Sequence, residues 1–421
     1  MIQYNLEQKI DFEKISFISK DDHKEISKRS KVEEGDILFA MIGTIGNPAI
    51  IKGDANFSIK NVGLFKKNEK VMLPTYFVNF LRSSIFEKQL SERKLLKGTT
   101  QKFIPLGNLR KINIPLPPLP EQQAIVAKIE ELLSDLDNGK QQLQTAQQQL
   151  KVYRQSLLKW AFEGKLTRSN FRHFDKLSAQ GTDVQVVAPL PVVAATEPVE
   201  VVETTNKKAV LPKGDALSLP KGWKIVELKE VCEIKRGKSK HRPRNATSLF
   251  GGKYPFIQTG DIRNANGGYI KNSSQTYSEI GLQQSKLWAK GTLCITIAAN
   301  IGETAILDLD ACFPDSVVGL VCNEKLLLNK YTNYFFISHK SKLEELAPAT
   351  AQKNINVDIL EKVKIPLPSL EEQQLIVSEL ESKLTVCDKI EETISQSLQQ
   401  AETLRQSILK KAFEGKLVHG K

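Results

Sequence analysis

The sequence is poor in cysteine, in aromatic residues and in long apolar runs. Its 421 residues include five cysteines and 7% aromatic residues. The cysteines are odd in number and show no C-x-x-C spacing, which argues against a disulfide framework and indicates reduced thiols in a cytoplasmic protein. The amino terminus has no apolar signal segment, and no stretch approaches 18 apolar residues. We therefore expect a soluble protein that is neither exported nor inserted in a membrane.

Sequence motifs for catalysis are also missing. Neither H-E-x-x-H nor G-x-S-x-G occurs, and the five histidines are scattered without metal-ligand spacing. Gly237-Lys238-Ser239 imitates the end of a phosphate-binding P-loop, but Cys232 stands where the upstream glycine is required, and Pro243 interrupts the helix that must follow. The sequence therefore predicts a chain that is not an enzyme and that binds no cofactor or metal ion of its own.

Basic residues, by contrast, are in surplus. There are 60 Lys and Arg against 48 Asp and Glu, which gives a formal net charge of +12. This balance favours an anionic partner, and nucleic acid is the first candidate because phosphate contacts by Lys and Arg supply most sequence-independent affinity. Net charge alone is a modest signal, since many soluble proteins are basic.

A long segment of the chain occurs twice. Residues 114–167 and 365–418 align without a gap, and 26 of their 54 positions are identical. The identities lie mainly at the two ends, in I-P-L-P-x-L-x-E-Q-Q and in R-Q-S-x-L-K-x-A-F-E-G-K-L. The middle keeps only its apolar spacing, which indicates that its length matters more than its side chains.

The middle of each copy predicts a long helix. Apolar residues recur at heptad spacing for about five repeats, prolines precede each run, and Gly164 and Gly415 follow it. One such stripe would be read as a helix on its own domain, but two of equal length favour mutual, antiparallel pairing. The predicted seam contains Ile129, Leu136, Leu143, Leu150 and Leu157 of the first copy, and Leu380, Ile390, Ile394, Leu404 and Ile408 of the second.

The repeat divides the chain into two globular regions and two helices. Short β-branched runs such as 37–42 and 294–298 predict strands, and 74–90 and 329–346 predict helices. The first region also resembles the second, with Val62-Gly63 aligned to Val318-Gly319. We predict an α+β fold with pseudo-twofold internal repetition: globular regions at 1–113 and 219–364, helices in 114–167 and 365–421, and a flexible linker at 168–218.

Polar and basic runs in the globular regions are the candidate DNA contacts. Residues 235–244 read KRGKSKHRPR, a density that suits a phosphate backbone, although a short basic run is often only a solvated loop. The runs 258–268, 350–354 and 98–102 carry side chains suited to base edges, although each residue singly is more often part of a turn. The predicted DNA-binding residues are Lys235, Arg236, Lys238, Lys240, Arg242, Arg244, Thr259, Arg263, Asn264, Gln352, Lys353, Thr99, Thr100, Gln101 and Lys102.

Taken together, these motifs resemble the DNA specificity subunit of type I restriction-modification systems. The resemblance is carried by I-P-L-P-P-L-P-E-Q-Q-x-I-V at 114–126, its copy at 365–377, the two A-F-E-G-K-L endings, and L-P-K-G-W-K-I-V-E-L-K-E-V at 219–231, which is similar to the start of a target recognition domain. It implies two such domains, each reading one half of a bipartite double-stranded DNA site, with an antiparallel pair of conserved spacer helices between them that form a coiled coil.

The same resemblance implies partner subunits and their chemistry. Two modification (M) subunits would methylate adenine with S-adenosylmethionine, and restriction (R) subunits would hydrolyse ATP with magnesium and cut the DNA. An alternative from another class is a coiled-coil scaffold or regulator that binds nucleic acid nonspecifically. A scaffold, however, needs no repeated base-reading surface. A fused methyltransferase-nuclease is disfavoured because no cofactor motif is present.

The two halves differ in length before their shared strands. The segment from Leu219 to Gly291 has no equivalent of similar length before Gly35, and no G-W-K-x-V-x-L-x-E-V opening precedes that glycine. We therefore expect the first recognition domain to be shortened at its amino terminus and to leave a sheet edge uncovered. On that expectation, the chain as given reads only the half-site of residues 219–364.

Overall fold

The computed structural model describes residues 17–53, 55–167, 219–243, 246–298, 300–347 and 354–418. The predicted linker, 168–218, lies outside these residues. Within them, no helix is both long enough and apolar enough to cross a lipid bilayer. The chain divides into unit 1, residues 1–146 with 392–421, and unit 2, residues 147–391.

The two predicted long helices are present, and each has 44 residues. Helix α5 spans Leu119–Phe162 and helix α12 spans Leu370–Phe413. Both helices end just before the glycines that the sequence marks as stop signals. Gly164 and Gly415 adopt left-handed φ angles of 64° and 72°. The next backbone N–H turns back onto the helix at each end, from Lys165 to the carbonyl of Trp160 and from Lys416 to that of Lys411, at 2.9 Å in both.

The two terminal glycines provide a matched pair for a stability prediction. A Cβ atom at Gly164 would lie 2.1 Å from Cγ of Pro220, whereas one at Gly415 would meet nothing within 4 Å. Left-handed φ costs a non-glycine residue about 1–2 kcal/mol, so we expect Gly415→Ala to lose about that much. Gly164→Ala should lose roughly 1–3 kcal/mol more because Pro220 must also move. Urea denaturation of both variants checks this, and equal losses would contradict it.

Unit 1 is a three-stranded antiparallel sheet with helices. The strands are joined in the order β2-β1-β3. Both faces of the sheet are covered. Successive strand residues point to opposite sides, and both Phe39 and Leu38 are buried: Phe39 packs against the helices, and Leu38 packs against Val32 and Ile51. The elements are α1 (Lys20–Ser30), β1 (Ile37–Ala40), β2 (Gly46–Ile50), β3 (Val62–Phe65), α2 (Pro74–Leu81), α3 (Ser84–Glu92) and α4 (Leu106–Leu109).

Unit 2 contains a five-stranded sheet in the order β5-β11-β9-β10-β7 and two smaller two-stranded sheets, β12-β4 and β6-β8. Among the strands that the structure describes in unit 2, only β7 and β10 pair in parallel. The elements before β9 are β4 (Lys224–Glu227), α6 (Leu228–Val231), β5 (Cys232–Arg236), β6 (Phe250–Phe256), α7 (Thr259–Ala265), β7 (Tyr269–Ile270), β8 (Gln275–Tyr277) and α8 (Glu279–Gln283). Those that follow are β9 (Leu293–Thr296), β10 (Thr304–Leu307), β11 (Val317–Cys322), α9 (Asn329–Ser338), α10 (Lys340–Glu345), α11 (Val357–Glu361) and β12 (Lys364–Leu367).

The internal repetition is confirmed at the level of strand order. The set β2-β1-β3 of unit 1 has the order and directions of β10-β9-β11 in unit 2. In unit 2, β5 covers the outer edge of β11, and β7 covers that of β10. Within the part of unit 1 that the structure describes, no strand takes either place. The segments predicted as single helices, 74–90 and 329–346, are each two helices, α2 with α3 and α9 with α10.

The predicted alignment of Val62-Gly63 with Val318-Gly319 is wrong by one residue. Gly63 is paired with Phe39, whereas Gly319 is paired with Cys294, the counterpart of Leu38. A Cβ atom on Gly63 would meet Met41 and Leu109, and one on Gly319 would meet Trp288 and Phe313. The two glycines therefore lie on opposite faces of their sheets. A shift of one residue in strand register moves each side chain to the other face of the sheet.

A buried glutamine in each E-Q-Q motif connects a long helix to the globular part of its unit. Gln122 accepts from the backbone N–H of Leu73 at 2.9 Å and donates to the carbonyls of Val71 and Pro117. Gln373 makes the same three bonds, to Leu328, Leu326 and Pro368. Both side chains are fully buried. The repeated motif therefore holds the start of each long helix against a loop that is distant in sequence.

The repeated A-F-E-G-K-L endings provide a second attachment. In unit 1, Phe413 at the end of α12 packs edge-on to Tyr76 and Phe80 of α2, at 5.1 and 5.4 Å between ring centres. In unit 2, Phe162 at the end of α5 packs against Tyr331 and Phe335 of α9, at 5.1 and 5.5 Å. Each unit therefore holds the start of one long helix and the end of the other.

The helices pair within each unit, but one predicted row of their seam is wrong. Ion pairs join them across the seam, Lys140 to Glu402 at 3.2 Å in unit 1 and Arg154 to Asp388 at 2.7 Å in unit 2. In α12 the heptad row is buried at Leu380, Cys387, Ile394, Ala401 and Ile408. Ile390 and Leu404, however, are 44% and 51% exposed.

The second seam row of α12 lies four residues after the first. Leu384 and Leu398 are half-buried there, whereas Ile390, Leu404 and Lys411, each three residues after a residue of the first row, are exposed. In α5, Ile129, Leu150 and Leu157 are buried, and Leu136 and Leu143 are half-buried. The heptad period was therefore predicted correctly, and the flank of α12 that faces its partner was not.

Candidate nucleic-acid interface

The basic run of unit 2 forms a loop that the protein holds at several backbone positions. After β5, the N–H of Lys238 donates to the carbonyl of Phe313 at 3.1 Å, and the carbonyl of Lys238 accepts from Ser285 Oγ at 2.7 Å. Gln284 clamps the next turn: its Oε1 accepts from the N–H of Arg242 at 2.8 Å, and its Nε2 donates to the carbonyl of Arg242 at 2.7 Å. The backbone is therefore fixed while the charged side chains project from it.

The predicted basic residues fall into two groups. Lys235 forms an ion pair with Glu233, and Arg236 donates from Nε to the carbonyl of Asp315. Both side chains therefore already interact with other groups of the protein. Lys238, Lys240 and Arg242 are exposed. These three are the side chains of the loop best suited to contact phosphates.

An open depression of about 840 Å³ lies beside this loop. Ser239 and His241 of the loop line it together with Thr259, Gln258 and Gln275. Two separate polar segments predicted from the sequence, the basic run and the start of 258–268, therefore meet at one surface. Hydroxyl and amide side chains of this kind can donate to and accept from base edges.

Aromatic side chains support the depression from below. Tyr277 is fully buried and stacks on Phe256 with ring centres 4.2 Å apart, and its hydroxyl is hydrogen-bonded to Nε2 of His241. Burial raises the pKa of Tyr277, so its hydroxyl keeps its proton. This network positions the imidazole of His241 from within the domain.

The other predicted residues of unit 2 are not gathered at the depression. Arg263 and Asn264 are exposed on α7 but do not line it, and Thr259 alone of that predicted set does. Arg244, Gln352 and Lys353 lie outside the described residues. The neighbour of the last two, Asn354, forms a β-bridge with Ala298 in the turn that follows β9.

In unit 1 the predicted residues form one closed loop. Lys97 and Phe103 exchange two backbone hydrogen bonds of 2.8 and 2.9 Å, and the residues between them protrude. The bridge from Ile42 to Phe103 sets this loop beside the β1-β2 turn, as Asn354 is set beside the β9-β10 turn in unit 2. All four predicted side chains are exposed: Thr99, Thr100, Gln101 and Lys102.

Gln258 and Gln275 are the functional candidates that sequence reasoning missed. Gln258 begins the polar run 258–268 but is not among the predicted DNA-binding residues, and Gln275 lies outside every predicted run. The available signal is weak: Gln275 begins a short strand that ends in a buried tyrosine. Only the tertiary structure brings the two side chains together.

Comparison with known proteins places these features in a family. The model of the type I restriction modification DNA specificity domain matches residues 3–148 and 220–400. The putative type I restriction enzyme MjaX specificity subunit of Methanocaldococcus jannaschii is 27% identical over 375 residues, which are 88% of this chain and 76% of that protein. The EcoBI specificity subunit of Escherichia coli is 27% identical over 365 residues, 82% of this chain and 64% of its own length.

Solved structures show the same fold. A chain from a structural study of assembly and conformational transition of the type I R-M system has a TM-score of 0.66 at 23% identity. The HsdS subunit from Thermoanaerobacter tengcongensis has a TM-score of 0.55 at 22% identity. Each match covers 91% of this chain and 82% of the other. The arrangement of two mixed domains and two long helices is therefore shared.

Proposed function

The chain belongs to the type I restriction modification DNA specificity family, and we propose that it reads a two-part DNA site, one part through each unit. This proposal replaces the expectation that only residues 219–364 read DNA, because unit 1 has its own exposed polar loop at 99–102. It is a DNA-recognition subunit and carries no catalytic activity of its own. We assign the target recognition domains to residues 1–113 and 219–364, and the spacer segments to 114–167 and 365–421. The observation that carries the proposal is the meeting of a fixed basic loop and a polar depression in unit 2.

The division of work between loop and depression follows from their chemistry. The exposed cations Lys238, Lys240 and Arg242 suit phosphates, which position a protein on DNA without carrying sequence information. The amide and hydroxyl groups of the depression suit base edges, which do carry it. In unit 1 we assign the base-reading role to the loop 98–102.

The partners follow from membership of the family. We propose that the chain assembles with two modification subunits and with restriction subunits on double-stranded DNA in the cytoplasm. S-adenosylmethionine, ATP and magnesium would be bound by those partners, and none of them by this chain. The long helices would set the gap between the two half-sites.

Mapping methylated adenines tests this function. In cells that carry the chain with its cognate modification subunits, we expect methylation at one bipartite sequence with a fixed gap. A scaffold that binds nucleic acid nonspecifically would give no defined sequence. Methylation that is independent of the chain would contradict the proposal.

Removing two loop charges should reduce the salt dependence of DNA binding. If Lys238 and Lys240 each contact a phosphate, the Lys238→Ala, Lys240→Ala double variant should flatten the slope of log K against log salt by about 1.8, at ~0.9 per contact. Affinity should fall to a similar extent for target and unrelated duplexes. Fluorescence anisotropy of the assembled complex across a salt series measures both quantities.

Lys235→Ala is the matched control, because Glu233 already neutralises Lys235. Lys235→Ala should change the slope of log K against log salt by less than the ~0.9 expected for one phosphate contact. A double variant with the parental slope would assign the loop to solvent and not to DNA.

A further inference from the structure

The amides of Gln258 and Gln275 form a pair whose orientation the protein determines. The backbone N–H of Asp261 donates to the main-chain carbonyl of Gln258 at 3.0 Å, and the capping box of α7 sets the Gln258 side chain against the same N–H, so the amide oxygen is the end that faces it. Its Nε2 then donates to Oε1 of Gln275 at 2.8 Å. Because the oxygen of Gln275 is directed to Gln258, its Nε2 is the group left to hydrogen-bond elsewhere.

The carboxylate of Asp261 holds both glutamines in place. It accepts from the backbone N–H of Gln258 at 2.8 Å and from Oγ of Ser274, the residue before Gln275, at 3.0 Å. Gln275 also begins strand β8, where it is paired with Phe256 of β6. A side chain held on a strand and by a neighbouring amide is well ordered for recognition before any ligand arrives.

We propose that Nε2 of Gln275 reads one base of the half-site as a hydrogen-bond donor, and that this base is guanine. Among the described residues, Nε2 has no acceptor within the protein. In the major groove guanine presents two adjacent acceptors, O6 and N7. Adenine N7 lies beside an amino donor, thymine offers only the acceptor O4, and cytosine presents an amino donor that would oppose another donor. The inference rests on the proposed function and adds to it a base and the atom that reads it.

Replacing Gln275 by glutamate turns the group that faces the base from a donor into an acceptor and keeps the hydrogen bond from Gln258. One carboxylate oxygen of Gln275→Glu can still accept from Nε2 of Gln258, and the other turns the donor into an acceptor. A carboxylate accepts from N4 of cytosine. We expect one position of the half-site to change its preference from guanine to cytosine, by roughly tenfold or more, while the other positions stay as they were.

The measurement is selection from duplexes randomised at the half-site, using the chain assembled with its modification subunits. Gln283→Glu is the control: it makes the same charge change at an exposed position at the end of α8, outside the depression, and should leave every preference unaltered. Gln275→Met removes the donor at similar volume and should relax the same single position.

The outcomes separate the inference from the function beneath it. If Gln275→Glu and Gln275→Met both retain the parental preference at all positions, the assignment of Gln275 is overturned. A loss of affinity shared equally by all sequences would also overturn it. If the parental complex itself selects no sequence, the proposed function fails.

Discussion

Gln373→Met should lower the free energy of unfolding of unit 2 by about 3 kcal/mol. Methionine keeps the length of the side chain but removes three hydrogen bonds, leaving the buried carbonyl of Pro368 and the partly buried N–H of Leu328 and carbonyl of Leu326 unpaired. Each unpaired buried group costs about 1–3 kcal/mol, partly offset by relaxation. All three tryptophans, Trp160, Trp223 and Trp288, belong to unit 2, so tryptophan fluorescence during urea denaturation measures the loss.

The neighbouring glutamine is the control for this prediction. Gln374 is exposed, and Gln374→Met should change stability by less than about 0.5 kcal/mol. Gln122→Met should act on unit 1, with an early transition in circular dichroism that tryptophan fluorescence does not follow. Equal effects of the substitutions at 373 and 374 would show that the first glutamine of the E-Q-Q motif does not hold the helix.

Lengthening both long helices by one heptad should widen the unread gap of the DNA site by about three base pairs. Seven residues add ~10.5 Å of helix, and a base pair rises ~3.4 Å along DNA. The insertions belong between Ala146 and Gln147 and between Glu391 and Glu392, the boundaries of the two units. Each unit then keeps its own contacts, and a heptad adds nearly two whole turns. Mapping methylated adenines would show the new gap with both half-site sequences retained.

Insertion into α5 alone is the informative control. It shifts one helix against its partner, so the ion pair from Arg154 to Asp388 and the buried rows cannot all form, and assembly should be impaired. If the double insertion methylates with the parental spacing, the helices do not determine the gap.

The sequence was most informative where a physical requirement repeats. Heptad spacing predicted both long helices to within a few residues, and the duplicated motifs predicted two related domains. The spacing could not show which flank of α12 faces its partner. Ile390 and Leu404 are as apolar as the residues that pack, and their exposure is decided by the helix opposite.

Contacts between distant segments were the main limit of prediction. Gln122 and Gln373 stood out as a motif, but their partners lie between 5 and 51 residues away and are backbone groups that any sequence supplies. The register of β3 was mistaken because Val-Gly occurs in both halves, and dipeptide identity carries no information about the sheet face. Gln275 was missed because its importance depends on Gln258 and Asp261, which only the fold brings close.

Each unit contains the start of one long helix and the end of the other, and this affects the order in which the units fold during synthesis. Unit 2 is one continuous stretch, residues 147–391, and can complete its core as soon as that stretch has emerged. Unit 1 is interrupted by unit 2: residues 1–146 precede unit 2 in the chain, but the core of unit 1 includes Leu409, Ala412 and Phe413, which follow it. The part of unit 1 that precedes unit 2 therefore stays partly exposed until the end of α12 has been synthesised. Folding is completed from the second unit to the first, against the usual direction of synthesis.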